Sequence, residues 1–444
     1  MNIAQKPPQH QALSGRRFSG RHFLGQKILG QKYAFVVVGV IFLSLLSAAG
    51  LRAAPGVLIL PLEGAFGWSR EIISAAAAIG IFLYGLMGPF AAALMQSFGI
   101  KRTLVLALLL MSASTALSSF MSAPWQLIAT WGVLSGIGSG CVAIVLGATV
   151  VNRWFVSHRG LVMGILTAST ATGTLIFLPG LAALAEAGGW RWVVLAVSAC
   201  TALMVPLVLL FLPERPGDIG LVPFGADPAS PPAQAAAQNP LNLAFGALRR
   251  ASAKRDFWFL FATFWICGFT TNGLVGTHLI SFCGDQGIAE VQAAGLLALM
   301  GIFDLVGTTG SGWLTDRFDP RKLLFMYYGL RGLSLIYLPY SDFSLYSLSI
   351  FAAFYGLDWI ATVPPTVRLS VEAFGERDGP VVFGWIAAGH QLGAASAAYF
   401  AGFLRTEQGN YFDAFIIAGV TGVVAALIAL AIRGAKGRMA MAAG

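Results

Sequence analysis

Residues 33–62 read YAFVVVGVIFLSLLSAAGLRAAPGVLILPL, and Arg52 is the only charge among them. A helix crosses the hydrocarbon of a bilayer with about 20 apolar residues. The stretch is therefore long enough to span, and Pro55 and Pro61 provide points at which it can kink. A charged side chain at the centre of such a helix costs about 2.5–3.5 kcal/mol on insertion scales. The guanidinium of Arg52 needs a physical reason to be there.

Working outward, eleven further runs of similar character follow, at 72–95, 103–121, 125–151, 160–184, 192–212, 257–283, 291–315, 322–340, 344–367, 380–404 and 411–432. The 444-residue chain is 57% hydrophobic and 11% charged, with a mean hydropathy of +0.75. A soluble chain of this length carries far more charge. The short alternating segments of an outer-membrane barrel are missing from the sequence. The fold class this implies is an all-α integral membrane protein with twelve transmembrane helices.

The formal charge of +9 does not indicate a nucleic-acid partner once its distribution is considered. With a cytoplasmic N-terminus and twelve crossings, the 28 Lys and Arg divide into 23 inside, 3 outside (Arg70, Arg191 and Arg405) and 2 within helices (Arg52 and Arg331). That asymmetry is the positive-inside pattern. It predicts a multi-pass cell-membrane protein, in the inner membrane of a Gram-negative cell, with both termini cytoplasmic. The tail 1–32 carries six basic residues and no acid, which fixes topology and offers charge to anionic lipid. The first apolar run is too long for a cleavable signal. Cys141, Cys200, Cys267 and Cys283 all lie in apolar runs without CxxC spacing, so they read as packing residues and not as a metal site or disulfide framework.

Between the sixth and seventh runs lies 213–256, whose Pro, Gly, Ala and Gln content reads as a flexible cytoplasmic linker. The chain then divides into a basic cytoplasmic tail (1–32), an N-terminal six-helix bundle (33–212), the linker (213–256), a C-terminal six-helix bundle (257–432) and a cytoplasmic tail (433–444). At an offset of 220, seven of the twenty glycines between 39 and 189 fall on glycines of the second half, Gly56 on Gly276 and Gly136 on Gly356 among them. The composition alone gives two or three such matches, so an internal duplication is expected. Transporters built from repeats bind substrate near the midplane where the halves meet.

The segment GWLTDRFDPRK (312–322), after the eighth run, resembles the cytoplasmic loop motif of the major facilitator superfamily. In that family an acid and flanking basic residues lock the inward side, and Asp316, Arg317, Arg321 and Lys322 fill these positions as a cytoplasmic gate. The copy after the second run is degraded: Gln96 stands for the acid and Ser97 for a basic residue, while Lys101 and Arg102 remain. FGWSR (66–70), NRWF with RG (152–160) and LPERPGDIGL (212–221) resemble the branch of monocarboxylate transporters and oxalate–formate antiporters. The resemblance covers nearly all twelve runs and implies two pseudo-symmetric six-helix bundles.

Six side chains that are charged or titratable, Cys and Tyr apart, fall clearly inside the runs: Arg52, His278, Asp304, Arg331, Asp358 and His390. At 1.5 Å per residue, Arg331 and Asp358 lie at similar mid-depth on consecutive antiparallel helices, so a structural ion pair is expected. Arg52 has no acid at its depth in its own half, and its repeat counterpart is Asn272. The resemblance implies a cation here that binds the substrate carboxylate. A guanidinium suits that role with its planar fork; pairing with Asp304, or snorkelling outward, is the alternative. Asp304 matches the family's acid in the eighth helix, where partial burial would let it exchange protons during transport. The family carries an arginine four residues later, where this chain has Thr308. His278, His390 and Gln391 are further candidates for substrate contact or for helix packing. GVLSGIGSGC in the fourth run is glycine-rich without a following GK[ST], so it reads as close helix packing and not as a phosphate loop.

No hydrolase triad, HExxH site or nucleotide fingerprint is visible, and the loops are short. The expectation is a secondary transporter, not an enzyme, that moves a small organic anion (a carboxylate) by alternating access. Protons entering through Asp304 would drive it, with no cofactor and no metal. An exporter of amphipathic metabolites or drugs on the same fold is the alternative, and a non-transporting membrane sensor a more distant one.

Overall fold

The computed structural model describes residues 30–226 and 240–433. Most of the basic tail, the middle of the linker and the chain after Arg433 lie outside the described residues. The membrane-spanning helices are α1 Tyr33–Phe66, α2 Arg70–Ser97, α3 Ile100–Ser118, α4 Pro124–Trp154, α5 Arg159–Gly188 and α6 Trp190–Phe211 in the first half. The second half comprises α7 Arg255–Asp285, α8 Glu290–Arg317, α9 Pro320–Tyr337, α10 Leu345–Gly375, α11 at 376–408 and α12 Phe412–Ala431. Among the described residues, ten helices are individually long and apolar enough to cross a membrane. The polar helix α9 and the segment α11, which runs on from α10, complete the twelve.

Local sequence explains the boundaries. Ser69 caps α2 by accepting a hydrogen bond from the Ile72 amide (3.4 Å). Gly67 ends α1 in the left-handed conformation (φ 67°), where a side chain would be strained. Gly375 (φ 84°) turns the chain from α10 into α11. Beyond it a Cβ on Gly379 would stand 2.6 Å from the Val371 Cα, so the chain has folded back on itself.

The duplication is visible as packing. A Cβ on Gly136 of α4 would approach the Gly80 carbonyl of α2 to 2.9 Å. Its repeat mate Gly356 of α10 stands in the same relation to Met300 of α8, at 2.7 Å, and 300 is 80 plus the repeat offset. Gly56 of α1 lies against its own mate: its Cβ would come within 3.0 Å of the Gly276 carbonyl of α7. Two equivalent positions can touch in this way only beside the axis that relates the halves. The halves also meet through α2 with α11 and α5 with α8.

One difference between the repeats is local. Asp319 caps α9 by accepting from the Arg321 amide at 3.0 Å. Its mate ahead of α3 is Gly99, which has no side chain to offer. Glu214, from the PERPG stretch beyond α6, takes that place and accepts from the amides of Ile100 (2.7 Å) and Lys101 (3.0 Å). It also pairs with Arg153 of α4. The negative charge that the degraded loop lacks at the helix N-terminus is thus supplied from 114 residues away. The expected linker is partly ordered: Pro240–Ser252 forms a helix whose Ala244 carbonyl accepts from the Trp385 indole of α11 (3.0 Å).

Candidate functional site

A cavity of about 210 Å³ lies beside the contact between α1 and α7. Helices α1, α2, α4 and α5 provide most of its wall, with smaller contributions from α7, α8, α10 and α11. Among the described residues, Arg52 is its one charged lining residue and no acid lines it. The guanidinium carbon sits 4.9 Å from the centre of the Tyr84 ring on α2. Nη1 of Arg52 is buried and makes no hydrogen bond within the described residues. Such a buried charged donor is costly unless something else satisfies it. The other polar groups of the wall are neutral, and include the hydroxyls of Ser139 and Thr174 and the amides of Asn272 and Gln391. Trp131 and Trp359 add aromatic surface.

Of the residues singled out from sequence, Arg52, Asn272 and Gln391 therefore line one cavity. The two histidines do not. His278 is fully buried toward the α1–α2 end, where Nε2 donates to the Ala398 carbonyl (2.8 Å) and Nδ1 accepts from the Tyr411 hydroxyl (3.1 Å). The ring of His390 packs on Phe264, 5.0 Å between centroids. Sequence gives the depth of these residues but not the helix face, and both faces point into packing.

Asp304 is also absent from the cavity wall, and it makes no ion pair with Arg52. It is 5% exposed, and Oδ1 accepts from the Thr308 hydroxyl (2.8 Å) and from the Ile360 amide of α10 (2.9 Å). The Ile360 bond has a cause in sequence. Pro364 and Pro365 lack amide protons, and α10 is interrupted at 359–362 just before them. The groups freed by this break are taken by buried side chains. Ser311 of α8 donates to the Ala361 carbonyl (2.5 Å). Nη2 of Arg331 donates to the carbonyls of Asp358 (2.5 Å) and Trp359 (3.2 Å). Arg331 is 1% exposed; its Nε lies 2.6 Å from Asp358 Oδ2, and its Nη1 reaches the Cys267 sulfur at 3.0 Å. The second oxygen of Asp358 has no partner within the described residues.

The loop after α8 departs from the expected lock. Asp316 is exposed and forms no ion pair among the described residues. Arg317 lies over the Trp313 ring at 4.0 Å, and Lys322 is exposed. Arg321 pairs with Asp319 at 2.6 Å, and that guanidinium holds the Asp319 carboxyl below the usual carboxylate range.

Sequence reasoning missed the network at the opposite end. Arg70 is only 5% exposed and takes Glu63 at 2.9 Å and both oxygens of Asp285, at 2.7 and 2.9 Å. Asp285 also accepts from Arg405 at 2.7 Å. Arg70 further donates to the Tyr411 hydroxyl (3.4 Å), which leads on to His278 and the Ala398 carbonyl. Nearby, Tyr399 donates to Glu71 at 2.7 Å, and Glu186 of α5 accepts from the Val291 amide of α8 at 3.2 Å. These bonds tie the two halves together at the α1–α2 end. The scarcity of charge there was the available signal, since an isolated Arg70 and Asp285 at adjoining helix ends have few other partners.

A family model described as Major Facilitator Superfamily matches residues 40–367 and 311–438. Monocarboxylate transporter 13 of Bos taurus is 27% identical over 394 residues, covering 86% of this chain and 85% of that protein. An uncharacterised transporter of the same superfamily from Bacillus subtilis is 26% identical over 331 residues, covering 71% and 74%. Among solved structures, a bacterial homologue of the lysosomal transporter Spinster, inward-facing and occupied, superposes with a TM-score of 0.71 at 16% identity, covering 90% of this chain and 97% of that one. The crystal structure of a D-xylose–proton symporter gives 0.70 at 16%, covering 90% and 98%. With its twelve helices, paired repeats and matching family model, this chain belongs to the major facilitator superfamily and is similar to its monocarboxylate transporters.

Proposed function

We propose that the protein is a secondary transporter that binds a small organic monoanion, a carboxylate, at Arg52 and moves it by alternating access. The observation that carries this reading is the buried Nη1 of Arg52, which among the described residues has no hydrogen-bond partner and faces a cavity between the halves lined by no acid. A carboxylate can fill the guanidinium fork and supply the missing counter-charge. The charge balance also narrows the class. A dianion would keep one uncompensated charge beside a single cation, and a zwitterion would leave its ammonium without an acid. The cavity is smaller than the roughly 300–1,000 Å³ typical of drug-sized sites, which suits a metabolite of few atoms. Relatives named as monocarboxylate transporters support the same reading. Its aromatic walls favour one rival, an exporter of amphipathic compounds for which Arg52 is dispensable.

In this reading the bundles 33–212 and 257–432 rock against each other around the Gly56–Gly276 contact. The α1–α2 end faces away from the cytoplasm and is held shut by the Arg70–Asp285 network. The α2–α3 end is cytoplasmic, and an Asp316 without an ion-pair partner suits a lock released there. Asp304 serves proton coupling. It is a buried carboxylate held only by neutral donors, a hydroxyl and an amide, and it carries the proton that accompanies the substrate.

Competition for uptake into proteoliposomes tests the reading. Aliphatic and aromatic monocarboxylates should compete, while dicarboxylates, amino acids and neutral amphiphiles of similar size should not. Equal competition by neutral amphiphiles would transfer the assignment to the exporter.

A further inference from the structure

The break in α10 joins the cavity wall to a set of buried polar side chains that do not line the cavity. On one side is Trp359, whose side chain lines the cavity and whose ring meets Tyr355 edge-on at 5.6 Å between centroids. On the other are the buried polar side chains that hold the broken backbone. Asp304 takes the Ile360 amide, one residue after Trp359, and Arg331 donates to the carbonyl of Trp359 itself. The tryptophan that faces the substrate is therefore clamped on both sides by charged groups that never reach the substrate.

We propose that Asp304 is a positioning residue that acts through Trp359: its proton state sets the α10 break and, with it, the cavity wall. The ionised carboxylate makes a charge-assisted bond to the Ile360 amide. Oδ2 of Asp304 accepts no hydrogen bond within the described residues, so that oxygen takes the proton. Protonation weakens the bond at Oδ1 by removing its charge. The segment 359–362 is already non-helical and lies ahead of two prolines; the Trp359 amide donates to the Gly356 carbonyl (3.1 Å) and the Ile360 carbonyl accepts from the Val363 amide (2.9 Å), but among the described residues the Ile360 amide has no partner other than Asp304. The charged groups facing Asp304 from neighbouring helices are Arg331 of α9 and Asp358 of α10. These two are paired with each other, whereas the Asp304 carboxylate is bonded among the described residues only by the neutral Thr308 hydroxyl and Ile360 amide. Thr308, standing where the resemblance would place an arginine, fits the arrangement, since it donates to Asp304 and directs no charge into the cavity.

The inference rests on the cavity being the substrate site, but its test uses no substrate, so its failure would leave the Arg52 reading standing. The full chain is labelled with 5-fluorotryptophan and purified in detergent, and the Trp359 resonance is assigned by its loss in Trp359→Phe. ¹⁹F spectra are then recorded from pH 5 to pH 9. The Trp359 signal should shift with pH in the parent protein, and the shift should be lost in Asp304→Asn. Thr308→Val, which removes the other donor to the same carboxylate and leaves the backbone unchanged, should displace the midpoint. That second variant keeps the test decisive if Asp304→Asn does not fold. A Trp359 signal that does not move with pH, or one with the same midpoint in the variants as in the parent, would overturn the proposal.

Discussion

Arg52 and Arg331 both lie deep within membrane-spanning helices, and their surroundings are opposite. Arg331 is enclosed, with a carboxylate, two carbonyls and a sulfur within bonding distance of its nitrogens. Arg52 has an aromatic ring beneath it and a cavity ahead, and its buried Nη1 has no hydrogen-bond partner among the described residues. A cation that is buried and fully satisfied serves the fold, because its partners are the helix groups that a broken α10 leaves exposed. A cation that is buried and unsatisfied is tolerable if its partner comes and goes. On the reading proposed above, this difference distinguishes a structural charge from a binding charge without reference to any relative.

The largest effect is expected on the structural side. Asp358→Asn leaves the Arg331 guanidinium without a counter-charge, and breaking a buried pair from one side costs about 3–5 kcal/mol. Thermal stability in detergent should fall severely, and Arg331→Gln added to the same chain should restore part of it. A double variant no better than either single change would show that the pair does not act as a unit.

An intermediate effect is expected at the α1–α2 end, where charges again satisfy each other but across the two halves. Asp285→Asn weakens the grip on Arg70 and Arg405, and hydrogen bonds to charged groups are each worth about 1.5–3 kcal/mol. The change should alter the balance of conformations more than the fold. With spin labels at Ala187 and Gln286, on opposite halves, the variant should gain a longer-distance population that the parent lacks. An unchanged distance distribution would mean that this network does not hold the end closed.

The architecture was largely open to reading from residue order. The apolar runs mark the spans, and the glycine offset anticipates pairs such as Gly136–Gly80 and Gly356–Met300. The level depth of Arg331 and Asp358 places them within reach of each other. Depth is a one-dimensional quantity, however, and the site depends on which way each side chain faces. His278 and His390 lie at suitable positions along their helices but point into packing. Asp304 faces α10 because the helix breaks ahead of two prolines, six and seven residues beyond Asp358, and leaves the Ile360 amide without a helical partner, a consequence that appears only once α8 and α10 are side by side. The Arg70–Asp285 pair spans 215 residues, and nothing local in FGWSR indicates the partner. Glu214 at the start of α3 was hidden for the same reason.

The smallest effect on stability is expected at Arg52, and there the account is most exposed. Arg52→Gln removes a charge that has no ion-pair partner among the described residues, so the fold should be retained. Binding should fail, at a cost of about 2–5 kcal/mol if the guanidinium–carboxylate pair is desolvated. Arg52→Lys should bind weakly, because it keeps the charge and loses the fork. The most direct measurement is calorimetric titration of purified, folded Arg52→Gln with the monocarboxylate that competes best for uptake. The account predicts at least a thirtyfold loss of affinity at unchanged thermal stability, the fold-change equivalent to about 2 kcal/mol. Near-parental affinity would contradict it, and would make Arg52 a second structural charge.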